Sequence, residues 1–502
     1  MADIYIEKIN EVHMLIRGEQ STLQEIRDVF TFYAENYRFH PKVRAKIWDG
    51  RIFLLKLVSR NIGHLYIGLL EEVINFCKSR EYTYELNDNI KYISKINDEE
   101  FQKYITNLNI SSKNKQIELR DYQLKGFKDI LTKKRQLILS PTSSGKSAII
   151  YATCRYLLDN GLKGLVIVPN ISLIHQIYND FDDYSSLVDW NVQDFTHKIF
   201  SGQDKFNAKE LQISTWQSLN TIKDKTWFEK FDFVIIDEAH GIKANSLTSI
   251  LEQCSNAKYR VGLTGTLDNI KCNIKTIIGL TGPINKLITT KELIDRKQVS
   301  NLKIKCLVLK YDKETSNAIK KYKYQDEIKF LITNEKRNVF IKNLTLSMEK
   351  NTIVLFNFVE THGKKIYELI KNSKHLKGRN VYFIHGGVEG EEREKIRQIL
   401  ETEKNAIIVA SSGTMSTGVS IKNLHNIIFA ISGKSRIKIL QSIGRVLRLH
   451  ENKEIATLYD IVDNLSINKH QNFTLNHFIE RVKLYDAEQF DYKIVTIPFN
   501  QE

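Results

Sequence analysis

Residues 140–147 read SPTSSGKS, a run of small, polar and basic side chains whose types and spacing suit phosphate chemistry. The run fits the phosphate-loop pattern, except that Ser140 stands where the pattern has its first glycine. The apolar run QLIL precedes it, and SAIIYATCRYLLDNG follows with helical periodicity and Gly161 placed to end the helix. In such a strand, loop and helix, backbone N–H groups and the helix N-terminus face the phosphates. The stretch therefore predicts a nucleotide-binding loop.

Each residue of this loop has an expected role. Lys146 reaches the β and γ phosphates, Ser147 ligates Mg²⁺, and Gly145 allows close approach of the backbone. Ser140 costs little in place of glycine as long as its φ stays negative. The residues predicted to contact the nucleotide here are Ser143, Ser144, Gly145, Lys146 and Ser147.

An acidic motif further along the chain supplies the second half of such a site. In FDFVIIDEAH, an apolar run delivers Asp237 and Glu238 to the carboxyl end of a strand. There Asp237 can hold Mg²⁺, and Glu238 can orient and activate a water molecule for in-line attack on the γ phosphate. A lone Gly-Lys-Ser often arises by chance, but this acidic partner makes a chance match a poor explanation. The pair predicts ATP hydrolysis.

A basic segment, QSIGRVLR at 441–448, is the third candidate. Arg445 and Arg448 are spaced i, i+3, so we expect them to share a helix face and to reach a γ phosphate across a cleft between domains. The alternative for this segment alone is a solvated basic helix face.

Charge and composition restrict the partners and the compartment. The 502 residues carry a formal net charge of +15 and an estimated pI of about 9.2. Such an excess of positive charge indicates a polyanionic binding partner, and nucleic acid is a better candidate than a membrane surface. The alternative is an ordinary basic surface with no such partner. Five scattered cysteines are typical of a reducing cytosol and argue against disulfides or a zinc site. A membrane-spanning helix needs about eighteen consecutive apolar residues, and no run in the sequence approaches that length. We therefore expect a cytoplasmic protein.

The strands and helices that must position these motifs can be predicted from the sequence, because short apolar runs alternate with longer amphipathic stretches. The alternation occurs twice, from QLIL to YRVGLT and again from TIVLF to TLYDIVD, and predicts two tandem α/β domains with parallel sheets. A small α+β domain precedes them and a helical tail follows. The expected boundaries are 1–106 for the first domain, 107–118 for a linker, 119–297 and 298–465 for the two α/β domains, and 466–502 for the tail.

Local patterns add detail at both ends of the chain. IYIEKI and VHMLIRG predict a strand hairpin, and TLQEIRDVFTFYA predicts a helix opened by Ser21 or Thr22. Near the other end, helical spacing of apolar residues predicts a helix docked on the body, with the face Leu475, Phe478, Ile479, Val482 and Tyr485.

Taken in order, DEAH, GLTGTL (262–267) and QSIGRVLR resemble the motifs of superfamily-two helicases and translocases. The resemblance covers about residues 118–465. It implies two RecA-like domains, with ATP bound between them and nucleic acid running across both.

The same resemblance implies further site residues. Those implied to lie near the adenine base are Arg120, Tyr122 and Gln123, and Gln441 is a further residue implied to bind the nucleotide. Those implied to contact nucleic acid are Pro169, Asn170, Thr215, Gln217, Phe356, His385, Gly386, Thr417 and Gly418. Those implied to couple hydrolysis to domain movement are His240, Thr264 and Thr266. The chain departs from the family at Ser143, where glycine is frequent, and at Ser420, where aspartate is frequent.

Basic and aromatic residues interleave at 37–53, YRFHPKVRAKIWDGRIF, as they would on a nucleic-acid surface. The candidate contacts here are Arg38, Arg44, Lys46 and Trp48, and the alternative is an aromatic core with a solvated basic face. This stretch, YQDEIKFLITNEKRN (324–338) and the C-terminal HFIERVKLYDAEQFDYKIVTI also resemble the recombination and fork-remodelling DNA helicases of T-even bacteriophages.

That second resemblance implies an ATP-driven motor that remodels branched DNA, such as stalled forks, Holliday junctions and R-loops. Its implied partners are single-stranded, duplex and branched DNA and RNA–DNA hybrids, with no membrane and one chain sufficient for function. Two alternatives stay open: an RNA or RNA–DNA hybrid helicase, and a clamp that binds nucleic acid and ATP without hydrolysis. The intact set of Lys146, Asp237, Glu238, Arg445 and Arg448 argues against the clamp.

Overall fold

The structure is a computed structural model that describes residues 2–90, 96–202, 204–416, 421–431, 433–451 and 453–500. The chain divides into two compact units. The first contains residues 1–140 and 145–287, and the second contains residues 141–144 and 288–502.

The first unit begins with a small α+β layer. Its main sheet has five strands in the order β5-β6-β2-β1-β7, and a second hairpin pairs β3 with β4. The elements are β1 (Ile4–Lys8), β2 (His13–Gly18), α1 (Gln20–Val29), β3 (Thr31–Tyr33), α2 (Pro41–Arg44), β4 (Arg51–Phe53), β5 (Lys56–Ser59), β6 (Ile62–Tyr66), α3 (Leu70–Ser79) and β7 (Tyr84–Leu86), followed by α4 (Asp98–Leu108), β8 (Ser111–Ser112) and β9 (Lys115–Gln116).

Sequence patterns located this layer well but placed both ends of one helix wrongly. The predicted hairpin is confirmed, since β1 pairs with β2 in antiparallel register. Helix α1, however, begins at Gln20 after Glu19, whose side chain makes no capping hydrogen bond, so neither Ser21 nor Thr22 caps it. The helix also ends at Val29, earlier than predicted. The next residues, TFY (31–33), form β3 and pair with β4 instead of extending the helix.

A seven-stranded parallel sheet forms the centre of the first unit, in the order β12-β13-β11-β14-β15-β10-β16. Its inner strands are buried on both faces, as the continuous apolar runs predict. The elements are α5 (Asp121–Lys133), β10 (Arg135–Leu139), α6 (Lys146–Asp159), β11 (Gly164–Val168), α7 (Ile171–Tyr184), α8 (Val192–Phe195), β12 (Thr196–Ile199), β13 (Leu211–Thr215), α9 (Trp216–Leu219), β14 (Phe233–Asp237), α10 (Asn245–Gln253), β15 (Tyr259–Thr264), α11 (Lys271–Leu280) and β16 (Ile284–Lys286).

The α+β layer and this sheet share one apolar core. Buried residues of the layer, such as Ile4 and Leu69, belong to the same cluster as Leu137 of β10 and Ile277 of α11. The backbones of Gly68 and α11 approach each other closely: a Cβ added to Gly68 would lie only 2.1 Å from the Ile278 carbonyl oxygen. The N-terminal layer is therefore packed against α11 and the first sheet through a shared core.

The stretch predicted as a linker contains secondary structure of its own. It includes the end of α4 and the short β8–β9 hairpin. Ser111 is fully buried, and its hydroxyl donates a hydrogen bond to the Asp183 carbonyl oxygen at the end of α7.

A second seven-stranded parallel sheet forms the second unit, in the order β19-β20-β18-β21-β22-β17-β23. The elements are α12 (Thr290–Asp295), β17 (Asn301–Tyr311), α13 (Lys313–Ile319), α14 (Tyr324–Thr333), α15 (Glu335–Ser347), β18 (Thr352–Phe356), α16 (Lys364–Lys371), β19 (Val381–Ile384), α17 (Gly390–Thr402), β20 (Ile407–Ser411), α18 (Ser412–Ser416), β21 (Asn426–Phe429), α19 (Arg436–Val446), β22 (Ile455–Asn464), α20 (Phe473–Ala487) and β23 (Tyr492–Phe499).

The predicted C-terminal helix is α20, but its buried face differs from the predicted one. Phe478 and Tyr485 are buried, whereas Ile479 is 37% exposed. Arg481 takes a buried place on this face because its guanidinium pairs with Asp460 of β22. After the helix, β23 adds a strand to the sheet beside β17, which the sequence patterns did not reveal.

Within the described ranges, no helix is both long enough and apolar enough to cross a membrane. All five cysteines are buried as free thiols.

Candidate active site

The phosphate loop follows β10 and leads directly into α6. Two of its residues have left-handed backbone conformations, Ser143 with φ +71° and Gly145 with φ +80°, while Ser140 does not. Ser140 is buried, and its N–H donates to the Thr264 carbonyl oxygen at 3.0 Å. Lys146 opens the helix, and its ammonium donates to the Ser140 carbonyl oxygen at 3.2 Å. Ser140 thus replaces glycine at a position whose backbone does not need glycine.

Gln123 ties the segment before β10 to this loop. Its Nε2 donates to the Gly145 carbonyl oxygen at 3.2 Å, and its Oε1 accepts from the Arg120 N–H at 2.8 Å. A Cβ on Gly145 would lie 2.3 Å from Gln123 Nε2, so glycine here avoids both the strain of a positive φ and a displacement of the Gln123 carboxamide. The Gln123 carboxamide therefore binds the loop at Gly145, the residue whose positive φ shapes the turn into α6.

The other two residues predicted near the adenine base also lie together. Tyr122 is buried, and its hydroxyl accepts from Arg120 Nη1 at 2.9 Å. The structure therefore brings Arg120, Tyr122 and Gln123 together at the start of α5, with Gln123 facing the phosphate loop.

Asp237 ends β14, two strands away from β10 in the same sheet. Burial and the neighbouring Glu238 carboxylate raise the pKa of Asp237 to about 6, and the charge of Lys146 opposes that rise. The carboxylate lies near enough to Lys146 to be affected by its charge, so the sheet brings the acidic motif beside the phosphate loop.

Glu238 starts a network that reaches the strand between these two motifs. His240 Nδ1 lies 3.3 Å from Glu238 Oε2 and 3.1 Å from Thr264 Oγ1 at the end of β15. Thr264 Oγ1 in turn donates to the Thr266 carbonyl oxygen at 3.0 Å. All three predicted coupling residues are therefore joined to Glu238 by short polar contacts.

The chemistry of these side chains is suited to holding a nucleotide together with Mg²⁺. A helix N-terminus, a lysine and a glycine with positive φ form a cradle for phosphates. The Ser147 hydroxyl and the Asp237 carboxylate are hard oxygen donors, which Mg²⁺ prefers when phosphates and water complete its shell. Among the described residues there is no group of three or more His, Cys, Asp or Glu side chains that could hold a metal ion.

The arginine segment differs from the prediction. Arg445 lies on α19, but the helix ends at Val446, so Arg448 falls beyond it and the two do not share a helix face. The Leu447 N–H closes the last turn of the helix. Its carbonyl oxygen accepts a hydrogen bond at 2.8 Å from the N–H of Ser300, the residue before β17, and so is not available to a further helical turn. Gln441 is buried on the same helix.

Sequence reasoning missed Lys453, which supports this segment. Only 3% of the residue is exposed, and its ammonium donates to the Val446 carbonyl oxygen at 3.0 Å and to the Lys422 carbonyl oxygen at 2.6 Å. Burial and the nearby Arg448 charge lower its pKa to about 7, although Glu401 acts in the opposite direction. Nothing in the polar stretch HENKE distinguishes this lysine from a surface lysine.

In the first unit, the residues predicted to contact nucleic acid form one cluster at the ends of β11 and β13. The Asn170 side chain caps α7 by accepting from Leu173 N–H at 3.0 Å. Gln217 is exposed, and its Nε2 donates to the Pro169 carbonyl oxygen at 3.3 Å. Thr215 is buried as the cap of α9, so its side chain positions this cluster and is not presented at the surface.

In the second unit, the structure corrects the expectation for Phe356. Its side chain is fully buried and its ring packs on Phe383, so the side chain cannot contact nucleic acid. His385 is half-buried and Gly386 exposed in the turn after β19. Thr417, Gly418 and Ser420 lie outside the described residues.

The basic and aromatic segment 37–53, here called the arginine–aromatic loop, contains α2, runs from beyond β3 to the end of β4, and is largely exposed. Phe39 is 69% exposed and Ile47 77%, which rules out an aromatic core. Arg38, Arg44 and Lys46 are exposed, and Arg44 lies over the Phe39 ring with 5.8 Å to its centroid. Trp48 is half-buried, with its indole N–H donating to the Arg51 carbonyl oxygen.

Comparison with known proteins agrees with this arrangement. A family model described as DNA helicase UvsW, N-terminal, matches residues 3–87. Models described as Type III restriction enzyme, res subunit, and Helicase conserved C-terminal domain match residues 116–269 and 335–450. The ATP-dependent DNA helicase uvsW of Enterobacteria phage T4 is 35% identical over 517 aligned positions, covering 99% of each chain. The chain belongs to the UvsW family of helicases.

Other relatives support the same assignment. The crystal structure of T4 UvsW matches with a TM-score of 0.53 and 34% identity, covering 100% of both chains. A putative helicase 22 of Sulfolobus islandicus filamentous virus is 26% identical over 389 positions, covering 73% of this chain and 68% of its own. Two tandem RecA-like domains with a small N-terminal domain are therefore confirmed as the fold of this UvsW-family helicase.

The buried Lys453 makes a prediction about pH. Because its pKa is about 7 in the folded chain and near 10.4 when unfolded, the unfolded state binds more protons between these values. The free energy of unfolding should therefore rise with pH in this window. Between pH 7.5 and 9.0 the rise should exceed that of Lys453→Met by up to about 2 kcal/mol.

Denaturant unfolding of both proteins at the two pH values measures this difference. Lys422→Met makes the same chemical change at an exposed side chain and should keep the wild-type pH dependence. Equal pH dependence in wild type and Lys453→Met would show that Lys453 does not titrate in this range.

Proposed function

We propose that this UvsW-family, ATP-dependent DNA helicase uses the site on its first sheet to hydrolyse ATP and remodels branched DNA. The proposed substrates are stalled forks, Holliday junctions and R-loops met in phage recombination, repair and replication. The observation that carries this proposal is the meeting of phosphate loop, Asp237 and Glu238 at the carboxyl edge of one sheet, with Glu238 joined to Thr264 through His240.

The hydrolytic chemistry follows from the side chains. Lys146 would neutralise charge on the β and γ phosphates, and Ser147 with Asp237 would hold Mg²⁺. When bound, Mg²⁺ supplies positive charge to the phosphate oxygens. The Glu238 carboxylate would accept a hydrogen bond from water and direct the water oxygen at the γ phosphorus. Arg445 and Arg448 would add positive charge as the γ phosphoryl group leaves.

A route from hydrolysis to movement is proposed through the same residues. Glu238 is the group whose surroundings change most when the γ phosphate and its water are lost. His240 lies within 3.3 Å of Glu238, and its contact with Thr264 would pass that change to the segment after β15.

DNA is proposed to contact the cluster formed by Pro169, Asn170 and Gln217 in the first unit. His385 and Gly386 would contribute from the second unit. The arginine–aromatic loop would add phosphate contacts from Arg38, Arg44 and Lys46 and a stacking surface for unpaired bases, which branched DNA exposes. The formal net charge of +15 supports a polyanionic partner.

Steady-state ATP turnover with different nucleic acids tests the function directly. Single-stranded DNA, duplex DNA, a four-way junction, an RNA–DNA hybrid and RNA should be compared, with Lys146→Ala as the blank. We expect the four-way junction and single-stranded DNA to stimulate turnover most strongly. Stimulation by RNA alone would overturn the DNA assignment, and turnover with none of them would favour a non-hydrolysing clamp.

Glu238→Gln separates nucleotide binding from hydrolysis. The amide keeps the size of the side chain but is a far weaker base than the carboxylate, so we expect ATP binding to persist and turnover to fall by about 10²–10⁴-fold. Fluorescent-nucleotide binding and single-turnover hydrolysis measure the two steps. Wild-type turnover in this variant would exclude Glu238 as the group that activates water.

Removal of two charges tests the arginine–aromatic loop. The double variant Arg44→Ala/Lys46→Ala should weaken DNA binding and reduce the slope of log affinity against log salt by up to about 2. Fluorescence anisotropy over a range of salt concentrations gives both values. Lys78→Ala/Lys103→Ala removes the same charge from exposed positions outside the loop and is the matched control. An identical slope in both double variants would show that the loop does not bind DNA.

A further inference from the structure

The hydroxyl of Tyr184 contacts the phosphate loop directly. Its oxygen lies 2.8 Å from Ser147 Oγ, so the two hydroxyl groups share a hydrogen bond. None of the sequence motifs includes Tyr184, which is the last residue of α7. The contact joins a helix end to the side chain assigned to Mg²⁺ in the proposed function.

The Tyr184 side chain is held in a defined place. Its ring lies 5.5 Å from the ring of Tyr151, which is fully buried one helical turn after Ser147 on α6. The same helix α7 buries Ile174 and Phe181 in the core of the sheet. The phenol is therefore supported from both helices that meet at the loop.

The end of α7 is also fixed from the opposite side, by the β8–β9 hairpin. The Ser111 hydroxyl contacts the carbonyl oxygens of Asp183 and Tyr184 at 2.7 and 3.1 Å. The Asp183 carboxylate accepts from the Lys113 N–H at 2.6 Å and from the Ser112 hydroxyl at 3.0 Å. Three consecutive hairpin residues therefore hold the two residues that end the helix.

The chemistry of a serine ligand explains why such support matters. A serine hydroxyl binds a divalent cation through its oxygen lone pairs, so its proton must point towards another acceptor. A group that accepts a hydrogen bond from the ligand fixes the orientation of that ligand. Removing such a group typically costs about 10–100-fold in metal affinity.

We propose that Tyr184 is a positioning residue for Ser147, accepting a hydrogen bond from the Ser147 hydroxyl so that the lone pairs of the serine oxygen face a divalent cation bound with the nucleotide. This inference rests on the Mg²⁺ site of the proposed function. Helix α7 is capped by Asn170, which belongs to the cluster proposed to bind DNA, and its 14 residues span about 21 Å. It therefore connects the DNA cluster with the cation ligand through one rigid element.

Binding of a fluorescent ADP analogue, measured with Mg²⁺ and with EDTA, tests the inference without requiring turnover. Tyr184→Phe keeps the ring and removes the hydroxyl. We expect it to bind the analogue about tenfold more weakly than wild type in Mg²⁺ and equally well in EDTA. A purely structural role for the ring would leave the ratio between the two conditions unchanged.

Two further variants make the outcome unambiguous. Ser147→Ala should lose the Mg²⁺ enhancement, and Tyr178→Phe, a tyrosine on the same helix whose ring lies under the Lys198 ammonium, should behave as wild type. If Ser147→Ala is weakened while Tyr184→Phe equals wild type, the positioning role is wrong. If Ser147→Ala also equals wild type, the proposed Mg²⁺ site itself is wrong. Circular dichroism confirms that each variant is folded.

Discussion

Two buried arginines, Arg135 and Arg260, stand side by side at the amino ends of β10 and β15, and the geometry of the active site depends on them. Arg135 pairs with Glu11, which anchors the N-terminal layer. Arg260 donates to the carbonyl oxygens of Leu251, Cys254 and Leu280, which lie at or just beyond the ends of α10 and α11. Breaking a buried ion pair costs about 3–5 kcal/mol, because the remaining charge is left without a partner. The opposite ends of the same two strands carry the phosphate loop and Thr264, so these anchors fix the strands on which the chemistry sits.

The second unit uses buried arginines in a related way, on both faces of one strand. Asp460 and Asp463 lie three residues apart on β22 and so point to opposite faces of the sheet. Asp460 binds Arg481 of α20, and Asp463 binds Arg337 of α15, each through two hydrogen bonds. A tyrosine hydroxyl completes each group, so every acidic oxygen meets a donor. This arrangement fixes one helix on each side of the sheet, and α20 in turn leads to the last strand.

Prediction from sequence succeeded where chemistry and local periodicity coincide. The phosphate loop and the acidic motif each follow a continuous apolar strand, so the carboxyl edge of the sheet could be inferred before any contact was known. Prediction failed where distant contacts decide the outcome. Arg448 leaves the helix because Leu447 is bound by Ser300, Phe356 is buried by Phe383, and β23 exists only because β17 offers it an edge. The roles of Lys453 and Tyr184 could not be predicted for the same reason, since Lys453 contacts Lys422, 31 residues away, and Tyr184 contacts Ser147, 37 residues away.

Backbone strain explains how the two acidic residues of the site come to act together. In an extended strand, successive side chains point to opposite faces, so Asp237 and Glu238 would separate if β14 simply continued. Glu238 instead adopts φ +53°, a left-handed conformation that costs a non-glycine residue about 1–2 kcal/mol. Its N–H donates to Asp237 Oδ1 at 3.0 Å, and its carboxylate helps raise the pKa of Asp237. The strained backbone of Glu238 therefore keeps two carboxylates that repel each other close together, and the positive charge of Lys146 offsets part of this repulsion. A cation held by Asp237 would offset more of this repulsion, because its positive charge would lie next to both carboxylates.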